Sequence, residues 1–590
     1  MRDFIKFTFA SCFGVFLALM AFFFILAVII AAMVSAAGGS GSKAVVEKES
    51  VLMLDFSEPI PEQTNNLSSS TFSFEEHNIP GLHDIAGLIR HAAEDEKISG
   101  ILIENGTSAL GSSSAKIILD ALEEFKESDK FIAAYGDYYT QQGYYLASPA
   151  DHITLHPVGT IDFRGFASYS PFFKGLLDKL GLDIQIYYAG NFKSATEPFR
   201  RNEMSPENKL QTREYLADTY SMYLEDVAAA RSVNVDSLKA MAWEFKIKSA
   251  EDALKYKLVD EIGAKADCES WMNEKIGKSQ IERIHYVSID EYAAATPITP
   301  SNYKAKDKIA VIYMEGEIVS GNKGYGVIDD GRYVKLLKGI RRDDDIKAVV
   351  LRINSPGGSI LSAENIYRQL VGLKADGKKL VVSMGDLAAS GGYYLSAMAD
   401  SIFAQPNTLT GSIGVFSIIP NPARALDEKL GVKFDTVRTG PYSADFTIMF
   451  PWTERENTYM QQRTEAYYEL FLNKVADGRH MTRDAVHEVA QGRIWSGRKA
   501  LELHLVDKLG TMEDAIESAA TLAGIEEYKV KEYPVFQNPL QKFITDLMDQ
   551  NNEDASLLAK SQLPQMMRVW EVIQSGEPQA RLPFGLSITD

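Results

Sequence analysis

The chain has 590 residues and a formal net charge of -19, from 61 lysines and arginines against 80 acidic residues. A prior of roughly 100 to 200 residues per domain predicts at least two domains. The acidic balance and the lack of an evident basic cluster argue against a nucleic-acid binder, because affinity for phosphate backbones comes from clustered Lys and Arg. Two cysteines, Cys12 and Cys268, are too few for a disulfide framework or a thiolate metal site, and we expect no metal and no cofactor.

The N-terminal segment predicts a transmembrane helix. No residue between Phe7 and Ser42 is charged, and residues 13–34 are almost entirely apolar, which is long enough to cross a hydrocarbon core of about 30 Å. A cleavable signal peptide would have an apolar region of about 7 to 15 residues, so we expect an uncleaved anchor. Because Arg2 and Lys6 precede the helix, the positive-inside rule predicts that the N-terminus is cytoplasmic and that the chain after the helix lies on the outer side of the membrane.

The remainder of the chain contains an internal duplication. The stretch Tyr135–Asp151 recurs without a gap as Met384–Asp400. Near the ends of the two copies, Leu258–Gly263 matches Leu505–Gly510. The duplication therefore spans most of both halves, and the two units are related.

Each copy begins with a strand candidate, Ser50–Phe56 in the first and Ile309–Glu315 in the second. A helix and a short apolar strand follow in both, and this alternation predicts an α/β fold. Pro297 and Pro300 mark a linker, and amphipathic stretches such as Leu540–Met548 predict packing or assembly surface in the tail. The predicted organisation is an anchor and tether at 1–45, a first repeat at 46–294, a linker at 295–308, a second repeat at 309–533 and a tail at 534–590.

A glycine turn follows an apolar strand of the second copy. Asn354–Ser359 reads Asn-Ser-Pro-Gly-Gly-Ser and precedes a helical run at 362–373. The bare N–H groups of such a turn, aided by the helix N-terminus, can face a developing negative charge. An ordinary strand-to-helix turn is the alternative, but the first copy has lost both glycines at Gly106–Ala109. The difference favours an oxyanion hole in the second copy.

Ser390 is the candidate nucleophile. Small residues at Ala388 and Gly392 resemble a nucleophile elbow, where a serine on a sharp turn needs room on both sides. Most such serines are helix N-caps, so the match alone is weak. The first copy has Gln141 at the equivalent position. Together with the upstream glycine turn, the pattern predicts a catalytic serine in the second copy.

A serine nucleophile needs a base, and none of the nine histidines lies in a sequence motif that indicates a catalytic base. His487–Gln491 comes near a zinc-protease helix motif, but glutamine replaces the second ligand. Lysine is the other option, because burial lowers its pKa by several units. Ser113–Lys116 fits Ser-x-x-Lys without its companion motifs and reads as the start of a solvated helix. Lys193, whose second-copy equivalent is Ser443, is the better candidate.

These residues together resemble the signal peptide peptidase A family in its long, duplicated, membrane-anchored form. The motifs that carry the resemblance are Gly190–Ala195 with Glu197–Phe199, Asn354–Gly358, Ala389–Tyr394 and Thr410–Val415. The resemblance implies two tandem repeats of a fold related to the Clp protease and crotonase families. It also implies a dyad at the junction between the repeats, with Ser390 as nucleophile and Lys193 as general base.

The resemblance implies further roles around that dyad. Backbone N–H groups at Gly357 or Gly358, and at Gly391, would bind the oxyanion. Ser412 resembles the family hydroxyl that hydrogen-bonds the lysine, with a turn serine as the alternative. The implied substrates are hydrophobic peptides, the signal peptides left after cleavage of secreted precursors. The implied setting is a ring-shaped homotetramer on the bacterial inner membrane, single-pass, with the catalytic part on the periplasmic face.

Two other functions remain open from the sequence. A crotonase-like acyl-CoA enzyme would use the glycine turn as its oxyanion hole, but the anchor and outward orientation oppose it because acyl-CoA is cytoplasmic. A catalytically silent scaffold would bind membrane peptides without cleaving them. The intact Ser390, Lys193 and glycine set argue against the scaffold.

Overall fold

A computed structural model describes positions 14, 19 and 20 and residues 46–66, 79–296, 305–321, 326–535, 579–581 and 588–589. The predicted membrane helix lies outside these ranges except at its three described positions, and most of the linker and tail also lie outside them. Within the described ranges, no helix combines the length and the apolar character that a membrane crossing requires.

The first repeat is built on a six-stranded parallel sheet with the order β7-β4-β3-β2-β1-β8. Its central strands are continuous apolar runs because helices cover both faces. The strands of this half are β1 (Ser50–Asp55), β2 (Ile98–Glu104), β3 (Phe131–Gly136), β4 (His152–Leu155), β5 (Ala167–Ser168), β6 (Asp183–Ala189), β7 (Glu261–Ile262) and β8 (His285–Ser288).

The helices of the first repeat follow the strands in alternation, as the α/β pattern predicts. They are α1 (Leu82–Glu94), α2 (Ser112–Lys126), α3 (Gln141–Ala147), α4 (Lys174–Leu180), α5 (Glu197–Arg200), α6 (Pro206–Arg231), α7 (Val235–Trp243), α8 (Ala250–Lys255), α9 (Lys265–Ile276) and α10 (Ile289–Ala295). A 3₁₀ turn at Ser194–Thr196 lies directly before α5.

The second repeat has a larger sheet with the path β18-β16-β14-β12-β9-β20, and β15 and β19 branch from β14. Its strands are β9 (Lys308–Glu315), β10 (Glu317–Val319), β11 (Val327–Asp329), β12 (Ile346–Ser355), β13 (Gly357–Ser359), β14 (Lys379–Ala389), β15 (Ser401–Ala404), β16 (Leu409–Gly411), β17 (Val415–Asn421), β18 (Ile494–Ser496), β19 (Lys508–Leu509) and β20 (Lys529–Tyr533). The central pairs β9–β12 and β12–β14 are parallel.

Seven helices accompany these strands in the described part of the second repeat. They are α11 (Asp330–Arg342), α12 (Ile360–Ala375), α13 (Gly391–Ser396), α14 (Glu454–Arg479), α15 (Arg483–Val489), α16 (Gly497–Glu502) and α17 (Met512–Ala523). A single π-helical turn covers Ala425–Lys429. The strand candidates at the start of each copy match β1 and β9 to within one residue, and the predicted helical run at 362–373 lies inside α12.

A third sheet joins the two repeats. Its order is β11-β10-β13-β21-β17-β6, so it combines β6 of the first repeat with strands of the second. β6 pairs antiparallel with β17 from Asp183 opposite Asn421 to Ala189 opposite Val415. β21 (Gln579–Arg581) comes from the tail and pairs antiparallel with β13 and β17. The last strand, β22 (Ile588–Thr589), pairs with β5.

Candidate active site

Ser390 lies at the sharp turn between β14 and α13. It occupies the N-cap position of α13, yet its side chain makes no capping hydrogen bond. Its φ of 54° lies in the left-handed region, which a non-glycine residue adopts at a cost that functional turns commonly carry. The backbone N–H donates to the Gly411 carbonyl at 2.8 Å, which fixes the turn. The serine hydroxyl is therefore free of the capping role that most such serines have.

Lys193 reaches this serine from the first repeat. β6 ends at Ala189, and the following loop is held on the second repeat by the Phe192 N–H, which donates to the Gln491 carbonyl at 2.9 Å. From the first repeat, the Gln211 side chain donates to the Phe192 carbonyl at 3.1 Å. The pairing of β6 with β17 and these two contacts direct the lysine side chain toward β14 of the other repeat.

The side-chain nitrogen of Lys193 is surrounded by three oxygen atoms. Nζ lies 2.8 Å from Ser390 Oγ, 3.0 Å from the Ser412 carbonyl and 3.0 Å from Ser412 Oγ. The lysine is 1% exposed, and both serines are fully buried. Burial lowers the pKa of Lys193 well below its ordinary value, because the charged form loses its hydration.

This geometry suits a neutral amine, which has two N–H groups and one lone pair. The two N–H groups can donate to the carbonyl and the hydroxyl oxygen of Ser412, which leaves the lone pair for the Ser390 hydroxyl proton. The three oxygen neighbours of Nζ thus correspond to the two N–H groups and the one lone pair of a neutral amine, which is the form that can act as a general base. Ser412 lies where the resemblance placed the lysine-binding hydroxyl.

The glycine turn lies beside the nucleophile because Ser355, at the end of β12, pairs with Ala388, two residues before Ser390. Gly357 and Gly358 open β13, and the Gly357 N–H donates to the Ser355 hydroxyl at 3.2 Å. Gly358 has a φ of 155°, and a Cβ there would lie 2.0 Å from the Ile318 carbonyl oxygen. A side chain at this position would therefore push β13 away from β10.

Gly391 supplies the other N–H predicted for an oxyanion hole. It is the first residue of α13, and N–H groups in the first turn of a helix have no acceptor inside that helix. The helix dipole adds partial positive charge at the same end. The structure thus brings Gly391, the glycine turn and Ser390 into one region at the carboxyl ends of β12 and β14.

The first copy presents a different arrangement at the equivalent position. Gln141 is buried, and its amide oxygen accepts the backbone N–H groups of Arg164 at 3.2 Å and Gly165 at 2.8 Å. Thr140 caps α3 through its hydroxyl, which accepts the Gly143 N–H. Ser443, the equivalent of Lys193, is exposed. The first copy therefore uses these positions for local structure.

His487 of the broken zinc motif has a local partner, since its Nδ1 lies 3.0 Å from the Tyr468 hydroxyl. Among the described residues, no group of His, Cys, Asp and Glu is arranged to hold a metal ion. The sequence pattern missed Gln211, which binds the lysine loop, and the backbone role of Gln491. In the sequence, Gln491 is recognisable only as the residue that replaces the second ligand of the zinc motif, and no pattern indicates its backbone role, because any residue can supply a carbonyl.

A buried serine beside a lysine with a lowered pKa, next to a glycine turn on an α/β sheet, defines the class of serine hydrolases. The chain belongs to peptidase family S49, whose pattern matches residues 124–278 and again 372–526. The first match contains Lys193, and the second contains Ser390. The chain is therefore a tandem duplication of the family domain.

Named relatives agree with this assignment. The chain is 36% identical to Protease 4 of Salmonella typhi over 466 residues, which cover 77% of this chain and 74% of that protein. It is 33% identical to Protease 4 of Haemophilus influenzae over 447 residues, covering 74% and 72%. It is 28% identical to the chloroplastic serine protease SPPA of Arabidopsis thaliana over 488 residues, covering 81% and 70%. The chain is a serine protease.

Proposed function

We propose that this protein is a membrane-anchored endopeptidase that degrades released signal peptides through a Ser390/Lys193 dyad. The observation that carries the mechanism is the 2.8 Å distance between Lys193 Nζ and Ser390 Oγ at a fully buried junction of the two repeats. A lysine in that environment is neutral at a pH where an exposed lysine is charged, and it can therefore accept a proton.

The reaction proceeds in two halves. Ser390 Oγ attacks the scissile carbonyl carbon while its proton moves to Lys193 Nζ, and the resulting oxyanion accepts N–H groups of Gly391 and of Gly357 or Gly358. Lys193 then gives its proton to the leaving amine as the C–N bond breaks, which leaves an ester on Ser390. A water molecule, deprotonated by Lys193, attacks the ester. The proton returns to Ser390 Oγ as the carboxyl product departs.

The third sheet supports an extended peptide as the substrate. β13 and β17 both pair antiparallel with β21 of the tail, so the space between them takes a strand. Peptides bind to such edges by main-chain hydrogen bonds, with side-chain pockets adding specificity. Phe416 and Ile418 on β17 belong to a buried apolar cluster with Ala195 and Phe199. One side of the proposed peptide site is thus built on apolar residues, which suits signal peptides, whose central region has about 7 to 15 apolar residues.

Repeat symmetry supports the homotetramer. β6 pairs with β17 inside the chain, but its second-copy counterpart, residues 433–439, forms no strand within the described residues. This stretch exposes Phe434 at 42% and Val437 completely. Pairing of the stretch with the first repeat of another copy would be head-to-tail, and such interfaces generate rings when the rotation closes. Val437→Asp should convert the assembly to smaller species in light scattering, whereas an unchanged mass would contradict this interface.

The anchor at 13–34 would keep the enzyme on the periplasmic face of the bacterial inner membrane, where released signal peptides accumulate. Full-length protein should sediment with membranes after alkaline carbonate washing and should be accessible to protease only from the periplasmic side. Release into the soluble fraction after that wash would contradict the anchor.

The catalytic proposal is tested by peptidase assay of the full chain with an apolar fluorogenic peptide. Ser390→Ala and Lys193→Ala should each reduce kcat by at least about 100-fold, since general base catalysis alone contributes 10²–10⁴-fold. Ser443→Ala is the matched control for the lysine and should keep full activity, because its side chain is exposed. A folded Ser390→Ala variant that cleaves as fast as the parent would refute the dyad, and tight binding of CoA thioesters would favour an acyl-CoA enzyme instead.

A further inference from the structure

The two repeats share a polar contact that the reaction itself does not use. Asp386 lies on β14, four residues before Ser390. Its Oδ1 accepts the backbone N–H groups of Ser113 at 2.7 Å and Ser114 at 3.0 Å, and its Oδ2 accepts the Ser114 hydroxyl at 2.5 Å. These donors belong to the first turn of α2. A carboxylate of the second repeat therefore caps a helix of the first repeat, where negative charge is favourable.

Helix α2 has no side-chain cap of its own. Gly111 occupies its N-cap position, and no side chain there accepts an N–H group. The second-copy counterpart, α12, caps itself, because the Ser359 hydroxyl accepts the Ser362 N–H at 3.3 Å. A Cβ at Gly111 would lie 2.2 Å from the Asp386 carboxyl carbon. Helix α2 thus has no side-chain cap from its own repeat, and the glycine at its N-cap leaves space for a carboxylate from the other repeat.

The loop that leads into β16 of the catalytic repeat contacts the same helical turn. The Asn407 side chain donates to the Ser112 carbonyl at 2.8 Å. The hydroxyl of the next residue, Thr408, donates to the Gly385 carbonyl at 2.8 Å and so ties this segment to β14. β16 begins directly after Thr408 and ends one residue before Ser412. The N-terminus of α2 consequently contacts β14, which leads to Ser390, and the loop before β16, which leads to Ser412.

The first-copy counterpart of Asp386 has no comparable contact. Asp137 is exposed, and its carboxylate accepts the Tyr135 hydroxyl at 2.7 Å on the same strand end. Burial raises the pKa of Asp386, and the donors of Ser114 and Ser113 oppose that effect. A carboxylate that is costly to bury has therefore been placed at the junction in the copy that carries the nucleophile.

We propose that Asp386 is a positioning residue, which fixes how the first repeat docks on β14 and thereby sets the distance between Lys193 Nζ and Ser390 Oγ. Lys193 belongs to the same repeat as α2, and Ser390 belongs to the same strand end as Asp386. A shift of α2 along β14 would therefore separate the two reacting atoms. The inference rests on the dyad proposed above.

The test compares Asp386→Ala with Asp137→Ala in the full chain, using the apolar fluorogenic peptide. Because a displacement near 1 Å can cost about 100-fold in rate, we expect Asp386→Ala to lower kcat about 10- to 100-fold with KM changed less than about twofold. Asp386→Asn keeps one oxygen acceptor for the helix N–H groups and should recover part of the loss. Asp137→Ala should keep the parental kcat.

A second measurement separates positioning from a general loss of folding. Looser docking admits water to Lys193, which raises the pKa of the lysine toward its ordinary value. The acid limb of the kcat/KM profile should therefore move to higher pH in Asp386→Ala. A residue with a merely structural role would lower the melting temperature and the folded fraction without moving that limb.

Ser114→Ala guards against a folding failure of Asp386→Ala, since it removes one hydroxyl donor and keeps both backbone N–H bonds. It should shift kcat and the acid limb in the same direction by a smaller factor, about threefold in kcat. A parental kcat in folded Asp386→Ala, or an acid limb that does not move, would overturn the positioning role. Activity of Ser390→Ala would instead overturn the dyad, so the two failures can be told apart.

Discussion

The buried ion pair between Glu62 and Arg352 predicts a large loss of stability when one partner is neutralised. Arg352 on β12 is 1% exposed, and Glu62 of the first repeat is 3% exposed. The guanidinium donates to Glu62 through Nε at 2.9 Å and through Nη2 at 3.3 Å, and Nη1 donates to the Ser383 hydroxyl and the Met384 carbonyl. Burial works against the charge, but the Glu62 carboxylate outweighs it and raises the pKa of Arg352. In Glu62→Gln the guanidinium therefore stays charged and buried without its counterion.

The magnitude follows from that burial. Removing one partner of a buried pair costs about 3 to 5 kcal/mol, and we take the lower end, about 3 kcal/mol, because glutamine keeps one oxygen acceptor. For a unit the size of one repeat, each kcal/mol corresponds to about 2–4 °C in melting temperature, which gives a drop of about 6–12 °C. Glu203→Gln is the matched control, since Glu203 and Lys209 form an exposed pair at 3.1 Å. Such pairs contribute about 0 to 1 kcal/mol.

The assay is thermal and urea unfolding followed by circular dichroism. The double variant Glu62→Gln/Arg352→Met removes both charges and should recover most of the loss, because replacing a whole buried pair by apolar groups is often neutral. Two results would refute the argument that a buried guanidinium without a counterion destabilises the fold. One is a loss of less than about 1 kcal/mol in the free energy of unfolding of Glu62→Gln, and the other is a double variant that is less stable than Glu62→Gln alone.

Three further outcomes follow from the site. Burial holds the pKa of Lys193 below its ordinary range. We therefore expect kcat/KM to persist far below the pH at which exposed lysines become protonated, and to fall only on further acidification. A fall of kcat/KM at the ordinary pKa of lysine would contradict a buried base. Deleting residues 579–590 removes β21 and frees the facing edges of β13 and β17. This deletion should raise kcat/KM for short peptides several-fold. An unchanged kcat/KM would contradict the idea that the tail occupies the peptide site. Gln141→Ser in a Ser390→Ala background should restore no cleavage, because the first copy lacks the glycine turn and the second copy has Ser443 at the position equivalent to Lys193. Labelling of residue 141 in this variant by a serine-reactive inhibitor would contradict this reasoning.

Sequence patterns predicted the α/β class and the starts of both repeats because local periodicity decides those features. Comparison of the two copies singled out Ser390 and Lys193, since a duplication exposes the positions where the copies diverge. The distance between them could not be predicted in this way. It depends on the pairing of β6 with β17, which brings together segments more than 200 residues apart.

The interpretation of Ser113–Lys116 as the start of a solvated helix was wrong for its first three residues, which are buried. Ser113 and Ser114 lie against the second repeat, because the cap of their helix comes from Asp386. The Glu62 segment likewise carries no periodic signal, although its side chain contacts the centre of the second sheet. Contacts of this kind depend on how the folded helices and strands of the two repeats pack together. Neither secondary-structure propensity nor the hydrophobic pattern predicts that packing.

The division of the proposed dyad between the copies has a chemical reason. A lysine serves as a base only when its surroundings disfavour the charged form. At the equivalent position of the second copy, Ser443 is exposed to solvent, where a lysine would keep its hydration and its proton. Lys193 is buried because the second repeat covers it with β17 and the loops around Ser412 and Gln491. In the proposed mechanism, docking of the repeats therefore creates the base as well as bringing it to the nucleophile, and residues that set the docking would act on the rate without touching the substrate.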